Sequence, residues 1–168
     1  MRCDLFRLCY LVALGGFYLD ADEDYQGVDC SFLFRDDRLK VASLCYDRDA
    51  DDMVPAATFA DPAERSPSWT YYVNNNPLVA PPGHPVLVRA LARALSRLGR
   101  GEDLNDVQET TGPGNLTASL VAHVMSNPQH LEQDCSLLIN WNAVSVSRWP
   151  LSYRSDERNW RLWERSHQ

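Results

Sequence analysis

The chain of 168 residues is 45% hydrophobic with a mean hydropathy of −0.37, a composition that indicates one globular domain and excludes a disordered polypeptide. A formal net charge of −7 argues against nucleic acid as the main partner, because phosphate backbones are bound by basic surfaces. Five cysteines without a Cys-x-x-Cys pair argue against a structural zinc site. No apolar span of about 20 residues is present, so we expect no integral membrane span. We expect a cytoplasmic protein, with a secretory lumen or secretion as an effector as the alternatives.

The N-terminal half predicts one helix followed by several strands. Apolar residues recur at helical spacing between Arg2 and Ala13, and the pair Gly15-Gly16 ends that pattern. A long surface loop is expected over residues 47–68, which are rich in Asp, Pro, Ala and Ser. Short apolar runs between polar turns predict the strands. These are Phe17–Leu19, expected to be buried, Ser31–Phe34, Leu39–Cys45, Trp69–Val73 and, after a break at Asn74–Pro77, Leu78–Ala80.

The second half predicts two amphipathic helices and two late strands. Apolar residues on one broad face make the segment after Pro81-Pro82-Gly83 the most regular helix of the chain. The predicted elements are a helix at His84–Leu98, a helical turn at Asp103–Glu109, a helix at Asn115–Met125, and strands at Leu137–Asn140 and Ala143–Val146. Alternating strands and helices indicate a mixed α/β fold in a single domain spanning residues 1–168.

Two aspartates follow the first predicted strand directly, in the stretch Gly-Gly-Phe-Tyr-Leu-Asp-Ala-Asp. Asp20 and Asp22 project to the same side of an extended or turning chain. Two carboxylates in that position can hold a divalent cation and leave coordination positions open for phosphate oxygens. A second alternating cluster, Asp47, Asp49 and Asp51, lies in the predicted loop and is interpreted as a solvated acidic surface. Neither cluster has the Gly and Glu of a calcium-binding loop.

Three further segments accompany the Asp-x-Asp motif in a defined order. Arg-Cys-Asp-Leu-Phe-Arg begins at residue 2, Asn-Asn-Pro-Leu-Val-Ala-Pro-Pro-Gly-His-Pro covers residues 75–85, and Thr-Gly-Pro-Gly-Asn-Leu-Thr covers residues 111–117. With the motif, they closely resemble the glycosyltransferases that contain a DXD sugar-binding region. That group includes fungal initiating mannosyltransferases, bacterial capsular polysaccharide enzymes and clostridial glucosylating toxins. Asp4 and Arg7 match the family's helix pattern Ser-Asp-x-x-Arg, while Cys3 stands where the family has a small residue.

The resemblance implies a GT-A-like α/β fold and the transfer of a hexose from a UDP- or GDP-sugar to a glycan or protein acceptor. By analogy with the family, the anomeric configuration would be retained. Asp20 and Asp22 would hold Mn²⁺ or Mg²⁺, which offsets charge on a departing diphosphate. Near the end of the chain, Asn159 or Asp156 would supply another metal ligand and Trp160 would cover the donor. The implied donor-binding residues are Asp4, Arg7, Asp20, Asn76, His84, Thr111, Gly112 and Trp160.

The residues by themselves leave other interpretations open. Asp4 and Arg7 equally suit an i,i+3 ion pair on a helix surface, worth a few tenths of a kcal/mol. His84 equally suits a helix start in which local backbone groups satisfy the ring. Thr111-Gly112 suits an ordinary turn that caps the following helix.

The family's metal motif follows a first strand–helix–strand unit that binds the nucleotide base, whereas 19 residues precede Asp20 here. We therefore expect a GT-A-like fold that lacks this unit. The chain would then be a fragment of a longer product, one of two separately encoded halves, or an inactive relative that acts as a cation-binding or interaction domain. A secreted effector that modifies a host protein is a further alternative.

Overall fold

The computed structural model describes residues 2–101, 106–126 and 128–148, apart from the side chain of His130. These residues form a mixed α/β fold, as the alternation of predicted elements indicated. Helices and strands follow one another as α1 Arg2–Leu14, β1 Gly16–Tyr18, β2 Glu23–Tyr25, β3 Leu39–Asp47, β4 Asp52–Met53, α2 Ala56–Phe59, β5 Trp69–Ala80, α3 Pro85–Gly99, α4 Val107–Thr110, α5 Pro113–Ser126, α6 Leu131–Asp134, β6 Cys135–Leu138 and β7 Ser145–Ser147. None of the helices in the described ranges is long and apolar enough to cross a bilayer.

Two sheets organise the strands. In the larger sheet, β5 lies between β1 and β3, and the antiparallel partner β4 follows on the far side of β3. The same far side of β3 also carries β6, which runs parallel to it. The smaller sheet consists of β2 and β7, paired antiparallel. Because β1 and β2 belong to different sheets, the chain between them must turn from one sheet to the other.

Strand β5 is continuous where a break was predicted, but its pairing with β3 is irregular. Val41 pairs with Leu78 and Ser43 pairs with Val73, so two steps along β3 match five steps along β5. Residues 74–77 of β5 lie opposite Ala42 alone, so this segment of β5 bulges out of the ladder. A bulge redirects side chains away from the regular alternation of a strand. The predicted interruption thus corresponds to a local change in side-chain direction within one strand.

Three amphipathic helices cover one face of the larger sheet. The main core forms between this face and helices α1, α3 and α5. Its fully buried members include Leu11, Leu39, Val41, Leu78, Val86, Leu87 and Ala90. A smaller core on the opposite face contains Leu33, Ala42, Val79, Trp141 and Val144. Burial of apolar surface on both faces supplies most of the driving force for this arrangement.

Gly15 connects helix α1 to strand β1. Its φ is +65°, a left-handed conformation that side chains with a Cβ rarely adopt. A Cβ at this position would also lie 2.6 Å from the backbone nitrogen of Pro82. The glycine pair therefore ends the helix and allows β1 to pack closely beside the end of β5.

Several sequence predictions were wrong in detail. Ser31–Phe34 forms a 3₁₀ helix instead of a strand, in which the backbone N–H of Leu33 donates to the carbonyl of Cys30 at 3.0 Å. The carboxylate of Asp29 accepts hydrogen bonds from the backbone N–H and the hydroxyl of Ser31 at the start of this helix. Phe17 is 38% exposed and not buried, although its ring makes edge-to-face contacts with Phe34 and Trp141. The expected loop over residues 47–68 contains β4, α2 and a short 3₁₀ helix. The late strands begin two residues away from the predicted positions.

Candidate functional site

Asp20 and Asp22 lie in the turn that carries the chain from the larger sheet to the smaller one. Asp20 follows β1, and the backbone N–H of Glu23 donates a 3.3 Å hydrogen bond to the carbonyl of Asp20. This bond closes a turn over residues 20–23, after which β2 begins. The two carboxylates are therefore presented by a tight turn anchored in a sheet at each end.

A buried arginine fixes the carboxylate of Asp20. Arg7, on helix α1, is 4% exposed, and its Nη2 donates to Oδ1 of Asp20 at 3.0 Å. The hydroxyl of Tyr18 donates to the same Oδ1 at 2.9 Å and accepts from Arg7 at 3.2 Å. The guanidinium carbon of Arg7 also lies 4.2 Å from the centre of the Tyr18 ring. Asp20, Arg7 and Tyr18 thus form a closed hydrogen-bonded group.

Two consecutive asparagines in the β5 bulge hold this group from the other side. Asn76 accepts a 2.9 Å hydrogen bond from the backbone N–H of Asp20 and donates to the carboxylate of Glu23 at 2.8 Å. The carbonyl of Asn75 accepts from Nη1 of Arg7, and its side-chain amide donates to Asp4 at 3.0 Å. Because the bulge removes these residues from the regular ladder, both side chains can serve the turn and helix α1.

Strand β7 secures Asp22. The hydroxyl of Ser147 donates to Oδ2 of Asp22 at 3.3 Å, and the backbone N–H of Arg148 donates to the Asp22 carbonyl at 2.6 Å. The side chain of Arg148 forms an exposed ion pair with Asp24. The far end of the described chain therefore contributes directly to the position of the second carboxylate.

Burial raises the pKa of Asp20 above its ordinary value. The Arg7 guanidinium and the Tyr18 hydroxyl lower this pKa, while the carboxylates of Asp22 and Asp4 raise it through charge repulsion. Desolvation is the largest of these causes, so the ionised carboxylate is costly to hold without a further positive charge. A cation bound next to Asp20 and Asp22 would lower that cost.

The donor atoms of the site suit a hard divalent cation, since carboxylate oxygens are the ligands that Mg²⁺ and Mn²⁺ prefer. Oε2 of Glu23 is buried and has no hydrogen-bond partner among the described residues, next to the Asn76 amide that binds Oε1. Within the described ranges, no group of three or more His, Cys, Asp or Glu side chains is arranged to hold a metal ion. Asp20 and Asp22 would therefore contribute two ligands, leaving other positions for water or phosphate oxygens.

His84 lies at the other end of β5. Its Nδ1 accepts from the backbone N–H of Val86 at 3.3 Å, and its Nε2 donates to the carbonyl of Asp134 at 3.0 Å. The ring thus caps helix α3 and ties it to α6. Asn76, next to Asp20, and Ala80 are four residues apart in β5, about 13 Å at the usual strand rise. No described contact joins His84 to the carboxylate pair.

Thr111 and Gly112 lie between helices α4 and α5. Thr111 is buried, and Gly112 donates its backbone N–H to the carbonyl of Val107 at 2.8 Å. A Cβ at Gly112 would approach the Cα of Gln108 to 3.0 Å, so close helix packing accounts for the glycine. No described contact connects either residue with Asp20 or Asp22. Asn159, Asp156 and Trp160 lie outside the described residues.

The structure therefore brings together Asp4, Arg7, Asp20, Asp22 and Asn76 of the predicted site. Sequence reasoning missed the remaining members, which are Tyr18, Glu23, Asn75, Ser147 and Arg148. Tyr18 precedes Asp20 by two residues, and side chains two apart in a strand project to the same side. This spacing could therefore have indicated that Tyr18 lies beside Asp20. No local signal identified Ser147 and Arg148, because they reach the site through the long-range pairing of β7 with β2.

Comparison with known proteins yields similarities to solved structures. No protein-family model matches the chain, and no curated protein matches it in sequence. Among solved structures, the chain is similar to the PaToxG Glycosyltransferase, with 20% sequence identity and a TM-score of 0.48. The similarity covers 78% of this chain and 37% of that chain, so the present chain spans little more than a third of the protein it resembles.

Proposed function

We propose that the chain is a glycosyltransferase domain that uses a divalent metal ion and a nucleotide-sugar donor. One observation carries the proposal: the Asp-x-Asp pair lies on a tight turn whose first carboxylate is held by the buried Arg7. An isolated surface Asp-x-Asp would not need a buried guanidinium and an asparagine bulge to hold it. The sequence resemblance in the segments that supply Arg7, Asp20 and Asn76 supports the same function.

In this proposal, the residues of the site have separate roles. Asp20 and Asp22 would hold Mn²⁺ or Mg²⁺, with Asn159 as a further ligand. When bound, the metal neutralises charge on the diphosphate of the donor and on the departing nucleotide diphosphate. Arg7 and Tyr18 orient one oxygen of Asp20, which leaves its other oxygen for the cation.

The remaining donor-binding assignments are parts of the same proposal. Asp4, fixed by the Asn75 amide, would accept hydrogen bonds from hydroxyl groups of the donor. Asn76 would keep the Asp20 turn in place, because its Oδ1 accepts a hydrogen bond from the backbone N–H of Asp20. His84, Thr111, Gly112 and Trp160 would belong to the donor site through the sequence resemblance alone. The acceptor would be a glycan or a protein, and the transfer would retain the anomeric configuration.

Metal binding and donor turnover test this proposal. Mn²⁺ titrations followed by electron paramagnetic resonance measure the free metal, and release of UDP or GDP from a panel of UDP- and GDP-sugars measures turnover. We expect Asp22→Asn to weaken Mn²⁺ binding by about tenfold or more and to abolish metal-dependent nucleotide release. The isosteric amide keeps the side-chain volume, so folding should be preserved.

Asp49→Asn is the matched control, since it removes one carboxylate from the second acidic cluster at an exposed position. It should leave both Mn²⁺ affinity and nucleotide release unchanged. Equal loss in the two variants would show that general acidity, and not the Asp20–Asp22 turn, attracts the metal. Mn²⁺ binding at Asp22 without turnover of any donor would favour the alternative of an inactive cation-binding relative.

A further inference from the structure

An open cavity lies beside strand β5, on the part of the strand that precedes the asparagine bulge. Its volume is about 360 Å³, and Phe59, Ala60, Pro62, Arg65 and Tyr71 line it. This volume falls within the range of small-molecule sites, roughly 300–1,000 Å³. Two aromatic rings and one charged group give the cavity both an apolar wall and a polar anchor.

The aromatic wall is a series of edge-to-face contacts. The Phe59 and Tyr71 rings meet at 84° with centroids 6.3 Å apart, and Trp69 packs against Tyr71 at 70°. Tyr71 is 49% exposed, so about half of its surface is accessible to a ligand. Perpendicular rings offer a ligand one stacking face and one ring edge.

The polar anchor is the guanidinium of Arg65. It is exposed at the end of the 3₁₀ helix Pro62–Glu64 and forms no ion pair or side-chain hydrogen bond with the described residues. Guanidinium groups bind carboxylates and phosphates through two parallel hydrogen bonds, so Arg65 suits a ligand that carries either anion, and we commit to a carboxylate.

The cavity shares a face of the sheet with the carboxylate site. Tyr71 and Val73 are two residues apart in β5, so their side chains lie on the same face of the sheet. Val73 belongs to the core beneath helices α1, α3 and α5. Arg7 and Asn75 meet on that same face, at the N-terminal part of α1. Tyr71 and Asn75 are four residues apart in β5, at most about 13 Å between Cα atoms. A short oligosaccharide can span this separation.

From these observations we infer that the cavity binds a uronic-acid residue of a saccharide acceptor. The inference rests on the proposed glycosyltransferase function and names the class of its acceptor. The apolar face of the pyranose stacks on Tyr71, the Phe59 ring contacts the side of the sugar, and the carboxylate pairs with Arg65. The next sugar of the same chain then extends along β5 toward the Asp20–Asp22 turn.

Binding of two simple glycosides to the full chain, without donor or metal, tests the inference. Methyl glucuronide carries a carboxylate at C6 where methyl glucoside carries a hydroxymethyl group, and the two are otherwise identical. Titrations followed by ¹H–¹⁵N spectra report the affinity of each glycoside and the location of its binding site. We expect saturable binding of the glucuronide, about fivefold or more tighter than the glucoside, with shifts centred on Tyr71. Arg65→Gln should remove that preference, and Tyr71→Ala should weaken both glycosides by about fivefold or more.

Arg89→Gln and Tyr10→Ala are the controls, because they remove an exposed arginine and an exposed tyrosine on other elements. They should change neither affinity. If Tyr71→Ala does not fold, Phe59→Leu serves as a second cavity variant. It is expected to weaken the binding of both glycosides. Equal affinity for the two glycosides, absence of binding, or displacement of the shifts to another surface would overturn the inference. So would a cavity that binds UMP and neither glycoside.

The two proposals fail in different ways. Loss of glucuronide binding with intact metal-dependent donor turnover would refute the cavity and leave the transferase function standing. Intact glucuronide binding, together with metal-dependent donor turnover that no glucuronide-containing acceptor increases, would refute the assignment of the cavity as an acceptor site. Absence of metal-dependent turnover with every donor would instead refute the transferase function.

Discussion

Replacing Arg7 by Met gives the most direct test of how the Asp20 site is held. The change keeps an unbranched side chain in the helix but removes the charge and every hydrogen bond of the guanidinium. Removing one partner of a buried ion pair costs about 3–5 kcal/mol. The side chain of Asp20 is 37% exposed, so water recovers part of the loss. We therefore expect Arg7→Met to lower the free energy of unfolding by about 2–4 kcal/mol.

Urea unfolding followed by far-UV circular dichroism measures this change. With a urea slope of about 2 kcal/mol per molar, the midpoint should fall by about 1–2 M. Arg93→Met is the matched control, because Arg93 pairs with Glu109 at 3.2 Å while both side chains are more than a third exposed. An exposed pair of that kind contributes less than about 1 kcal/mol.

A double-mutant cycle with Asp20→Asn isolates the interaction itself. The coupling free energy between Arg7 and Asp20 should be about 1–3 kcal/mol, since the two side chains share a hydrogen bond and a network. Equal destabilisation by Arg7→Met and Arg93→Met, or additive effects of Arg7→Met and Asp20→Asn, would refute the claim that burial makes this ion pair important.

Two further predictions follow from buried titratable groups. Burial lowers the pKa of His84, so the unfolded chain binds a proton at a higher pH than the folded chain, and stability should fall as the pH drops below about 6.5. In His84→Asn the new amide can still accept a hydrogen bond from the Val86 N–H, so the helix cap is kept. Because asparagine does not titrate, this part of the pH dependence of urea unfolding should disappear. An unchanged pH profile would contradict the assignment to His84. Burial raises the pKa of Cys135 to about 11, so iodoacetamide at pH 8 should label the exposed Cys3 and Cys9 and leave Cys135 unmodified by mass spectrometry. Comparable labelling of Cys135 in the folded chain would show that this thiol is accessible.

The local sequence accounts for much of the fold. Helices α1, α3 and α5 lie close to their predicted positions because their apolar residues recur at helical spacing. Strand β3 and both halves of β5 were equally visible, since they are short apolar runs between polar turns. The 3₁₀ helix at Ser31–Phe34 was missed because four apolar and small residues in a row fit a short strand equally well.

The sequence by itself also singled out the pair Asp20 and Asp22 after a short strand as the candidate metal site. It did not indicate how that pair is held. The β5 bulge brings Asn76 to Asp20 across 56 residues, and β7 brings Ser147 to Asp22 across 125 residues. Such contacts depend on strand register, and register is set by the packing of whole sheets and not by neighbouring residues. The periodicity of apolar residues is a local property that the sequence shows directly. The contact between Asp20 and its buried partner Arg7 exists only once the tertiary structure has formed.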